Sequence, residues 1–572
     1  MAIDLNLFQE KTLQQILAET KKTTTETERI ARAQQARTDM MYRAKVAAAP
    51  DVETVDGLFV TWWKSQWIEG LTTKQAMLER WFSSVMDDNR VHGVKLPLFN
   101  TSQSAAGELT DDSVGLICEP STAAKAGRDD FARLPQFWCI EVSAEKRMDG
   151  SHEIYYVEHI DPIEKVRDGT HLTWVLQKNT YTKEWQDGSY HYLQMRCHPA
   201  PGFTQWPQGQ DKTGHIYSYI ANPKYAAGTL PDGRITCGTG LRPAISLSHQ
   251  TGVAKWRQRG AQYSGASGCL AKWQLTMIWL KYGKKGNSGT IEGCSRNWWQ
   301  LRAAVSETGV QRILVSQADG KKVRPGMSVS VGTGKDQWTS GFNKIAYAIR
   351  VTEVKTVTVS GSSYTAVVVD NGGKTFDTVA GETGFYSMPY FSGYNDDVLG
   401  YDGAKTDVTG GTEPGLIQKT EFQMGSYLII SDELWKWSQP GGAESEYYFD
   451  CYTCHDQSKV SGSAITPDYT LQDDLRMTFP SNQSEEWQYI EDISIGRDKG
   501  ILWPKTVSKA AGSGTGVKAG FYIQPRSDGI RAAWVFADLN HGGDAGLPAR
   551  ASGLSASNSN WAGCVGAPGL SG

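Results

Sequence analysis

The first 49 residues contain neither glycine nor proline, and this absence constrains the fold more than any other feature of the sequence. All 60 glycines of the 572-residue chain follow that segment. Glutamine, glutamate, alanine, lysine and arginine dominate it, and Pro50 follows it. Because these residue types favour helices and proline ends them, we expect an N-terminal helical segment over residues 1–50.

Large apolar side chains in this segment are sparse and include Leu5, Phe8, Leu13, Ile16, Leu17, Ile30, Met40 and Met41. So few apolar positions do not stabilise a lone helix in water. Self-association or docking on a partner protein supplies the missing burial in one interpretation. In the other interpretation, the helix is solvated and makes no such contact.

Composition excludes several classes of protein. Lys and Arg number 58 against 62 Asp and Glu, so the net charge of −4 indicates neither a nucleic-acid partner nor an electrostatic membrane contact. No run of 18 apolar residues occurs, and we therefore expect no membrane insertion. The 20 tryptophans argue against global disorder. Nine dispersed cysteines and the absence of a signal-like N-terminus indicate free thiols in a protein made in the cytoplasm.

Hydrophobic patterning predicts a multidomain α+β chain. After the N-terminal helix, residues 51–265 combine a helical stretch at about 58–86 with β-strands such as FWCIEV, IYYVEHI, HLTWVLQ and YHYLQM. Residues 266–385 begin with a helix near 268–282. They continue with the strands RILVS, SVSVG, AYAIRVTEV, TVTVS and TAVVVD of a small barrel or sandwich. Residues 386–572 are aromatic, glycine-rich and dense in loops.

The strings that come closest to known catalytic motifs do not match them. We therefore expect no catalytic residues and no enzymatic activity. The string GTGK at 332–335 lacks the earlier glycine of a phosphate loop, and GASGC at 265–269 misses the nucleophile elbow by one residue. The acidic run at 395–407 offers oxygen ligands for Ca²⁺ but lacks the spacing of a 12-residue calcium loop. A solvated turn is the favoured interpretation there.

The string Cys451-Tyr452-Thr453-Cys454-His455 matches the attachment pattern of haem c. Haem, zinc and free thiols are three possible interpretations. Covalent haem attachment follows export, and the sequence carries no export signal. Free thiols are therefore favoured, with no cofactor and no metal expected.

Four segments carry a resemblance to a known family. They are DDVLGYDGAKTDVTGG at 396–411, ELWKW at 433–437 followed by YYFDCYTC, EEWQYIEDISIGRDKGILWPKTV at 485–507, and DGIRAAWVFADLNHGGDAGL at 528–547 with ASNSN at 556–560. Their order and spacing resemble the variable proteins of diversity-generating retroelements, many of which are phage tail receptor-binding proteins. The helix WQLTMIWLKYG followed by NSGTIEGC also looks like the middle of gut-phage tail proteins. The resemblance covers residues 265–572 and is strongest after 385.

The resemblance implies a C-type-lectin-like receptor-binding domain, related to formylglycine-generating enzymes, at 386–572 with a hypervariable region at about 520–567. It implies a homotrimeric adhesin on the virion, at a tail fibre or the baseplate tip. This adhesin contacts other tail proteins and a bacterial surface receptor, protein or glycan. Two departures stand out. The end NWAGCVGAPGLSG does not fit the usual finish of the family, and the calcium-dependent sugar motifs of animal lectins are missing.

The candidate receptor-binding residues lie among small framework residues at about 520–567. We call this stretch the variable-like segment. Large rings and an arginine beside small polar groups are typical of binding surfaces. The candidates are Tyr522, Gln524, Arg526, Trp534, Phe536, Asp538, Asn540, His541, Asp544, Arg550 and Trp561. The alternative is that the rings are core residues and the polar residues form a solvated loop.

Two other functions remain open from the sequence. A tail-associated glycan-degrading enzyme needs a carboxylate pair, for which Glu433, Glu485 and Glu486 are available. An inert structural tail or collar protein needs no site.

Overall fold

The computed structural model describes residues 5–98, 105–149, 151–211, 213–334, 341–422, 428–442, 445–484, 486–508, 516–517, 519–523 and 529–536, with the backbone alone for 5–13 and 16. Within these ranges the chain is a mixed α+β protein, as the sequence predicts. Its helices are α1 (Leu5–Ala47), α2 (Val52–Gln66), α3 (Lys74–Arg80), α4 (Ile163–Arg167), α5 (His249–Arg257), α6 (Gly268–Tyr282) and α7 (Gln317–Gly320). A π-helical turn, Trp81–Val85, extends α3, and Pro207–Gly209 is a short 3-10 turn.

The predicted N-terminal helix is confirmed as α1, whose 43 residues span about 65 Å. Threonines normally weaken a helix by competing for backbone partners. Here the hydroxyl groups of Thr23, Thr24, Thr25 and Thr27 each donate to the carbonyl four residues earlier, so the run stays helical. All described side chains between residues 14 and 37 are exposed.

The last turns of α1 dock on the helices that follow. The carboxylate of Asp39 accepts a hydrogen bond from Trp62 at 2.9 Å and a bidentate pair from Arg80 at 2.8 Å. Tyr42 and Val46 join the hydrophobic core on the same side of the helix. One end of α1 is therefore anchored, and the rest extends away from the core.

The prediction of one helical stretch over residues 58–86 is wrong, because the structure divides it into separate helices. The chain leaves the helix after Gln66, passes through Gly70 at φ +75°, and restarts at α3. The hydroxyl of Thr73 caps that restart by accepting from the backbone N–H of Ala76 at 3.1 Å. A glycine in the left-handed region and a capping threonine are the local causes of the break.

Strands β1–β30, numbered in chain order, pair antiparallel within each sheet. A five-stranded sheet contains β1 (Val91–Pro97), β2 (Glu108–Asp111), β6 (Tyr181–Asp187), β7 (Tyr190–Arg196) and β8 (Thr204–Gln205). A four-stranded sheet contains β3 (Cys139–Lys146), β4 (His152–Val157), β5 (Leu172–Lys178) and β9 (Tyr219–Pro223). A small sheet joins β10 (Gly228–Thr229), β11 (Ile235–Thr236) and β12 (Arg242–Pro243).

The middle of the chain forms a separate β-layer. Its six-stranded sheet contains β13 (Gln300–Arg302), β15 (Arg312–Val315), β16 (Ser328–Gly332), β17 (Ala346–Val359), β18 (Ser362–Asp370) and β20 (Gly384–Met388). Beside it, β14 (Glu307–Val310) pairs with β19 (Phe376–Thr378). The strands predicted from RILVS, SVSVG and TAVVVD are confirmed, and AYAIRVTEV and TVTVS merge into the single strand β17.

The C-terminal strands form three sheets. The first pairs β21 (Gly415–Ile417) with β22 (Thr420–Phe422). The second has the order β25-β24-β23-β30, from β23 (Leu428–Ser438), β24 (Tyr447–Thr453), β25 (Thr470–Leu471) and β30 (Gly529–Val535), with β26 (Met477–Phe479) also on β24. The third has the order β28-β27-β29, from β27 (Glu486–Ile493), β28 (Pro504–Ser508) and β29 (Gly520–Ile523).

Helix α6 lies at the centre of the largest hydrophobic cluster. Ser267 caps its start, Gly283 ends it in the left-handed region at φ 60°, and every residue from Gly268 to Lys281 is buried. The cluster around it runs from Tyr42 to Phe536 and crosses the predicted divisions at 265/266 and 385/386. A second cluster, between Cys294 and Tyr394, belongs to the middle β-layer. The predicted helix at 268–282 is confirmed, and it packs with the first cluster.

Candidate functional site

Strand β23 brings distant parts of the sequence together. It pairs with β24 on one side and with β30 on the other, with Leu434 opposite Ala532 and Trp437 opposite Gly529. The ELWKW, YYFDCYT and IRAAWV strings are therefore three adjacent strands of one sheet. About a hundred residues of sequence separate the first from the last.

An aromatic cluster packs this sheet against the β28-β27-β29 sheet. The ring of Trp435 lies 4.9 Å from Phe449, 5.0 Å from Trp503 and 5.6 Å from Phe521, measured between centroids. Trp435 is 1% exposed, and its indole N–H donates to Glu433 at 2.6 Å. This packing joins the third family-like segment to the second and fourth.

Two predicted receptor-binding residues, Trp534 and Phe536, are buried at 5% and 4% exposure. Their assignment to an exposed surface is therefore wrong, and the core alternative holds for both rings. The reason is that both faces of β30 are covered from Ala532 to Val535. Phe536 packs toward Phe422, with ring centroids 6.2 Å apart.

Tyr522 is the predicted site residue that stays accessible among those described. In β29 it alternates with the buried Phe521 and Ile523, so its half-buried ring lies on the opposite face. There it lies beside the half-buried Trp487, with ring centroids 5.1 Å apart. The other predicted site residues lie outside the described residues: Gln524, Arg526, Asp538, Asn540, His541, Asp544, Arg550 and Trp561.

A wide bulge in β23 places the carboxylates of Asp432 and Glu433 at the start of α6. Ile429 pairs with Trp534 and Leu434 with Ala532, so four residues of β23 face one of β30. Within the bulge, the Asp432 carboxylate accepts from the backbone N–H of Gly268 at 3.0 Å. A helix N-terminus favours negative charge, although burial raises the pKa of Asp432. No local pattern in the sequence indicates this pairing, because the bulge and the helix are more than 150 residues apart.

His455 lies near the carboxylates of Asp432, Glu433 and Asp498 and neutralises part of their negative charge. Its Nε2 lies 2.6 Å from the carboxylate of Asp498. Burial lowers the pKa of His455, but the hydrogen bond to Asp498 and the charges of Asp432 and Glu433 outweigh burial and raise it to about 9. The imidazolium form therefore predominates at neutral pH.

We expect a pH-dependent contribution of the His455–Asp498 pair to stability. Because the folded pKa exceeds the ordinary value of about 6.5, the contribution is complete below that pH and is lost as the pH rises through about 9. Melting temperature against pH for wild type and His455→Gln measures it, and the gap between the two curves should close at alkaline pH. In Asp498→Asn the pKa of His455, followed by NMR, should fall. An unchanged value contradicts the assignment.

The two thiols of the CYTCH string do not share a site. Cys451 lies in the main core and Cys454 in a smaller cluster with Val253, Val460 and Tyr469. Burial raises the pKa of Cys454 to about 12. Covalent haem attachment needs both thiols and a histidine ligand on one group, and here His455 is bound to Asp498. Among the described residues, no disulfide joins any of the eight cysteines.

The acidic run at 395–407 is divided among separate structural contacts. Asn395 and Asp402 are buried, so the solvated-turn interpretation is wrong for them. Asp402, Asp129 and Cys118 come close enough to hold a metal ion. The ammonium of Lys281, however, lies 2.8 Å from both carboxylates. Burial alone would lower the pKa of Lys281, but the two carboxylates hold it well above its usual range, so a lysine fills the cation position.

A cavity of about 470 Å³ lies beside a second buried ionic network. Glu141 accepts from Arg167 at 2.6 Å and from Lys224 at 2.9 Å, and Lys419 bonds Glu158 at 2.7 Å. Burial alone would raise the pKa of Glu141, but Lys224 and Arg167 outweigh it and lower the pKa to about 2. Asp396 lies 3.7 Å from both Arg167 and Lys224, so three carboxylates compensate three cations and the network is structural.

No family model matches the chain, and no curated protein matches it. Among the described residues, no helix combines the length and the hydropathy needed to cross a bilayer.

Proposed function

We propose that the chain is a phage tail adhesin that binds a bacterial surface receptor through residues 386–572. The observation that supports the proposal is that three of the family-like segments pack against one another. Those at 433–437, 447–453, 486–507 and 529–535 pack around Trp435 as neighbouring strands and rings. Such packing is expected of a C-type-lectin-like domain, the fold that we propose for this region. Under this proposal the protein acts by binding its receptor and catalyses no reaction.

The mechanism is an adaptable surface on a fixed scaffold. Ala532 and Ala533, the small framework residues of the variable-like segment, are fully buried against β23. Of the proposed variable residues, Tyr522, Gln524 and Arg526 precede them in sequence, and those from Asp538 to Trp561 follow them. Substitution at positions outside a packed strand changes the contacts offered to a receptor at little cost to the core.

The N-terminal helix suits attachment and oligomerisation. Leu17 and Ile30 are 52% and 50% exposed on α1, and in a single chain nothing described covers them. We propose that α1 forms a homotrimer and contacts other tail proteins of the virion. Three copies per fibre raise avidity through effective concentration even where each contact is weak.

Deleting residues 1–37 is expected to convert a trimer into a monomer, because it removes the exposed part of α1 and leaves Asp39 and Tyr42 docked. Light scattering on the full chain and on the truncated chain measures the change. A full chain that is already monomeric contradicts the proposed trimer.

Receptor binding is tested with the polar residues of the variable-like segment, since the burial of Trp534 and Phe536 makes those rings unsuitable. We expect the combined variant Asp538→Ala, Asn540→Ala, His541→Ala and Asp544→Ala to reduce adsorption of the labelled protein to a responsive isolate by about tenfold or more. A panel of bacterial isolates identifies that isolate with the wild-type protein. Melting temperatures of the two proteins are compared in parallel.

The matched control is Glu353→Ala with Lys355→Ala, an exposed pair on β17 in the middle β-layer. Its adsorption should equal that of the wild type. Equal adsorption by the four-residue variant would favour an inert structural protein. Steady release of reducing ends from capsule or cell-wall glycan would instead favour the glycan-degrading enzyme.

A further inference from the structure

The turn that follows α6 brings a buried lysine against a carboxylate of β27. Lys285 and Asp492 lie 207 residues apart in the sequence, yet the Lys285 ammonium contacts the Asp492 carboxylate. Both side chains are almost completely buried, at 4% and 1% exposure. The pair therefore connects the end of the central helix to the β28-β27-β29 sheet inside the protein.

The backbone on each side of this contact is fixed. The N–H of Lys285 donates to the carbonyl of Ala105 at 2.9 Å, and the carbonyl of Lys285 accepts from the indole N–H of Trp279 at 2.8 Å. Asp492 lies opposite Thr506 in the pairing of β27 with β28. Two groups that folding holds in contact react much faster than free groups, because the entropy of bringing them together is already lost.

The buried surroundings favour the uncharged form of the pair. Burial lowers the pKa of Lys285 and outweighs the opposing effects of Asp492 and Glu491. A lower pKa increases the fraction of neutral amine, which is the nucleophilic form of lysine. Transfer of the ammonium proton to Asp492 leaves an amine beside a carboxylic acid, and neither then carries a charge in the core.

Two other buried lysines, both in α6, differ from Lys285 in this respect. Lys281 lies between two carboxylates, whose charges outweigh burial and hold its pKa well above the usual range. Glu184, the partner of Lys272, stays ionised, because Lys272 lowers its pKa although burial alone would raise it. Within the part of the chain that the structure describes, Asp492 is the one carboxylate in contact with the Lys285 ammonium.

We propose that Lys285 and Asp492 join in an intramolecular isopeptide bond. The Lys285 Nζ attacks Cγ of the Asp492 carboxylic acid, so the Nζ–Cγ bond forms and the bond from Cγ to one carboxyl oxygen breaks. The ammonium loses two protons in all, and they leave with that oxygen as water. The step therefore needs neither an oxidant nor a reductant. Glu491, the extra residue at a bulge of β27, is the proton relay, since its charge acts on Lys285.

The bond would close a covalent loop that contains the whole middle β-layer. A cross-link of this kind restricts the unfolded chain and thereby stabilises the folded protein. The inference does not depend on the adhesin function, because the bond forms within one chain whether or not that chain binds a receptor.

Mass spectrometry of the denatured full chain tests the bond. We expect an intact mass that is lower than the sequence mass by one water molecule, and a branched tryptic peptide that joins Lys285 to Asp492. Lys285→Arg keeps a cation but removes the amine, so it should restore the full mass. The matched control is Lys272→Arg, at a second buried lysine–carboxylate pair in α6, and it should keep both the water loss and the branched peptide.

The branched peptide is measured on the wild type, so the test holds even if Lys285→Arg does not fold. The proposal is overturned if the wild type has the full sequence mass and unlinked peptides. It is also overturned if the water loss persists in Lys285→Arg, because dehydration of an aspartate to a succinimide would then explain it. In a time course after cell-free synthesis, Glu491→Gln should form the bond about 100-fold more slowly. Formation at the wild-type rate overturns the role of Glu491 as the relay.

Discussion

Replacing Lys281 with Met is expected to destabilise the main core by about 3–5 kcal/mol. The Lys281 side chain is fully buried in α6, where its ammonium lies 2.8 Å from the carboxylates of Asp129 and Asp402 and 2.9 Å from the amide oxygen of Gln418. Removing the cation leaves two buried carboxylates close together without compensation. Melting temperature and urea unfolding followed by tryptophan fluorescence measure the loss.

The matched control is Lys322→Met. Lys322 is exposed and lies 3.0 Å from the half-buried Asp319 at the surface, so the loss of this ion pair should cost less than about 1 kcal/mol. Adding Asp129→Asn and Asp402→Asn to Lys281→Met should restore part of the stability, because it removes the uncompensated charges. If Lys281→Met is as mild as the control, the ammonium does not hold these carboxylates.

Replacing Trp435 with Ala is expected to cost about 3–5 kcal/mol and to unfold the C-terminal sheets first. The ring is buried against Phe449, Trp503 and Phe521, and its indole N–H donates to Glu433. The substitution leaves a large void between the two sheets and removes a hydrogen bond from a buried carboxylate. Hydrogen exchange of β23 and β27 should rise before that of the middle β-layer.

Trp487→Ala is the control, because Trp487 is half-buried on the outer face of β27. It removes a ring of the same size and should cost about 1 kcal/mol or less. Equal losses in the two variants would mean that Trp435 does not hold the sheets together. Trp435→Ala should also abolish cell adsorption if the proposed adhesin is correct, since the scaffold of the variable-like segment is lost.

Local signals in the sequence identified several elements well. The absence of glycine and proline predicted α1, and the alternation in FWCIEV and HLTWVLQ predicted β3 and β5. The break at Gly70 was missed because aromatic residues continue through it at helical spacings. Lys272 and Lys281 within an otherwise apolar helix were the available signal for buried ion pairs, and both lysines have carboxylate partners.

The candidate site was less predictable. The sequence indicated Trp534 and Phe536 as surface residues because they alternate with small framework residues. Their burial depends on β23 and Phe422, which lie roughly a hundred residues earlier. Gln186, Trp503 and Thr506 line one cavity although they come from parts of the chain more than 300 residues apart, and no local pattern marks them.

The sequence by itself determined where α1 and α6 run and where strands such as β3, β5 and β16 lie, because caps, breakers and side-chain periodicity act within a few turns or residues. Only the tertiary structure decided which faces those elements cover. It placed Lys281 between two carboxylates and buried Trp534. Burial and ion pairing depend on contacts between distant segments, and such contacts leave no trace in local periodicity.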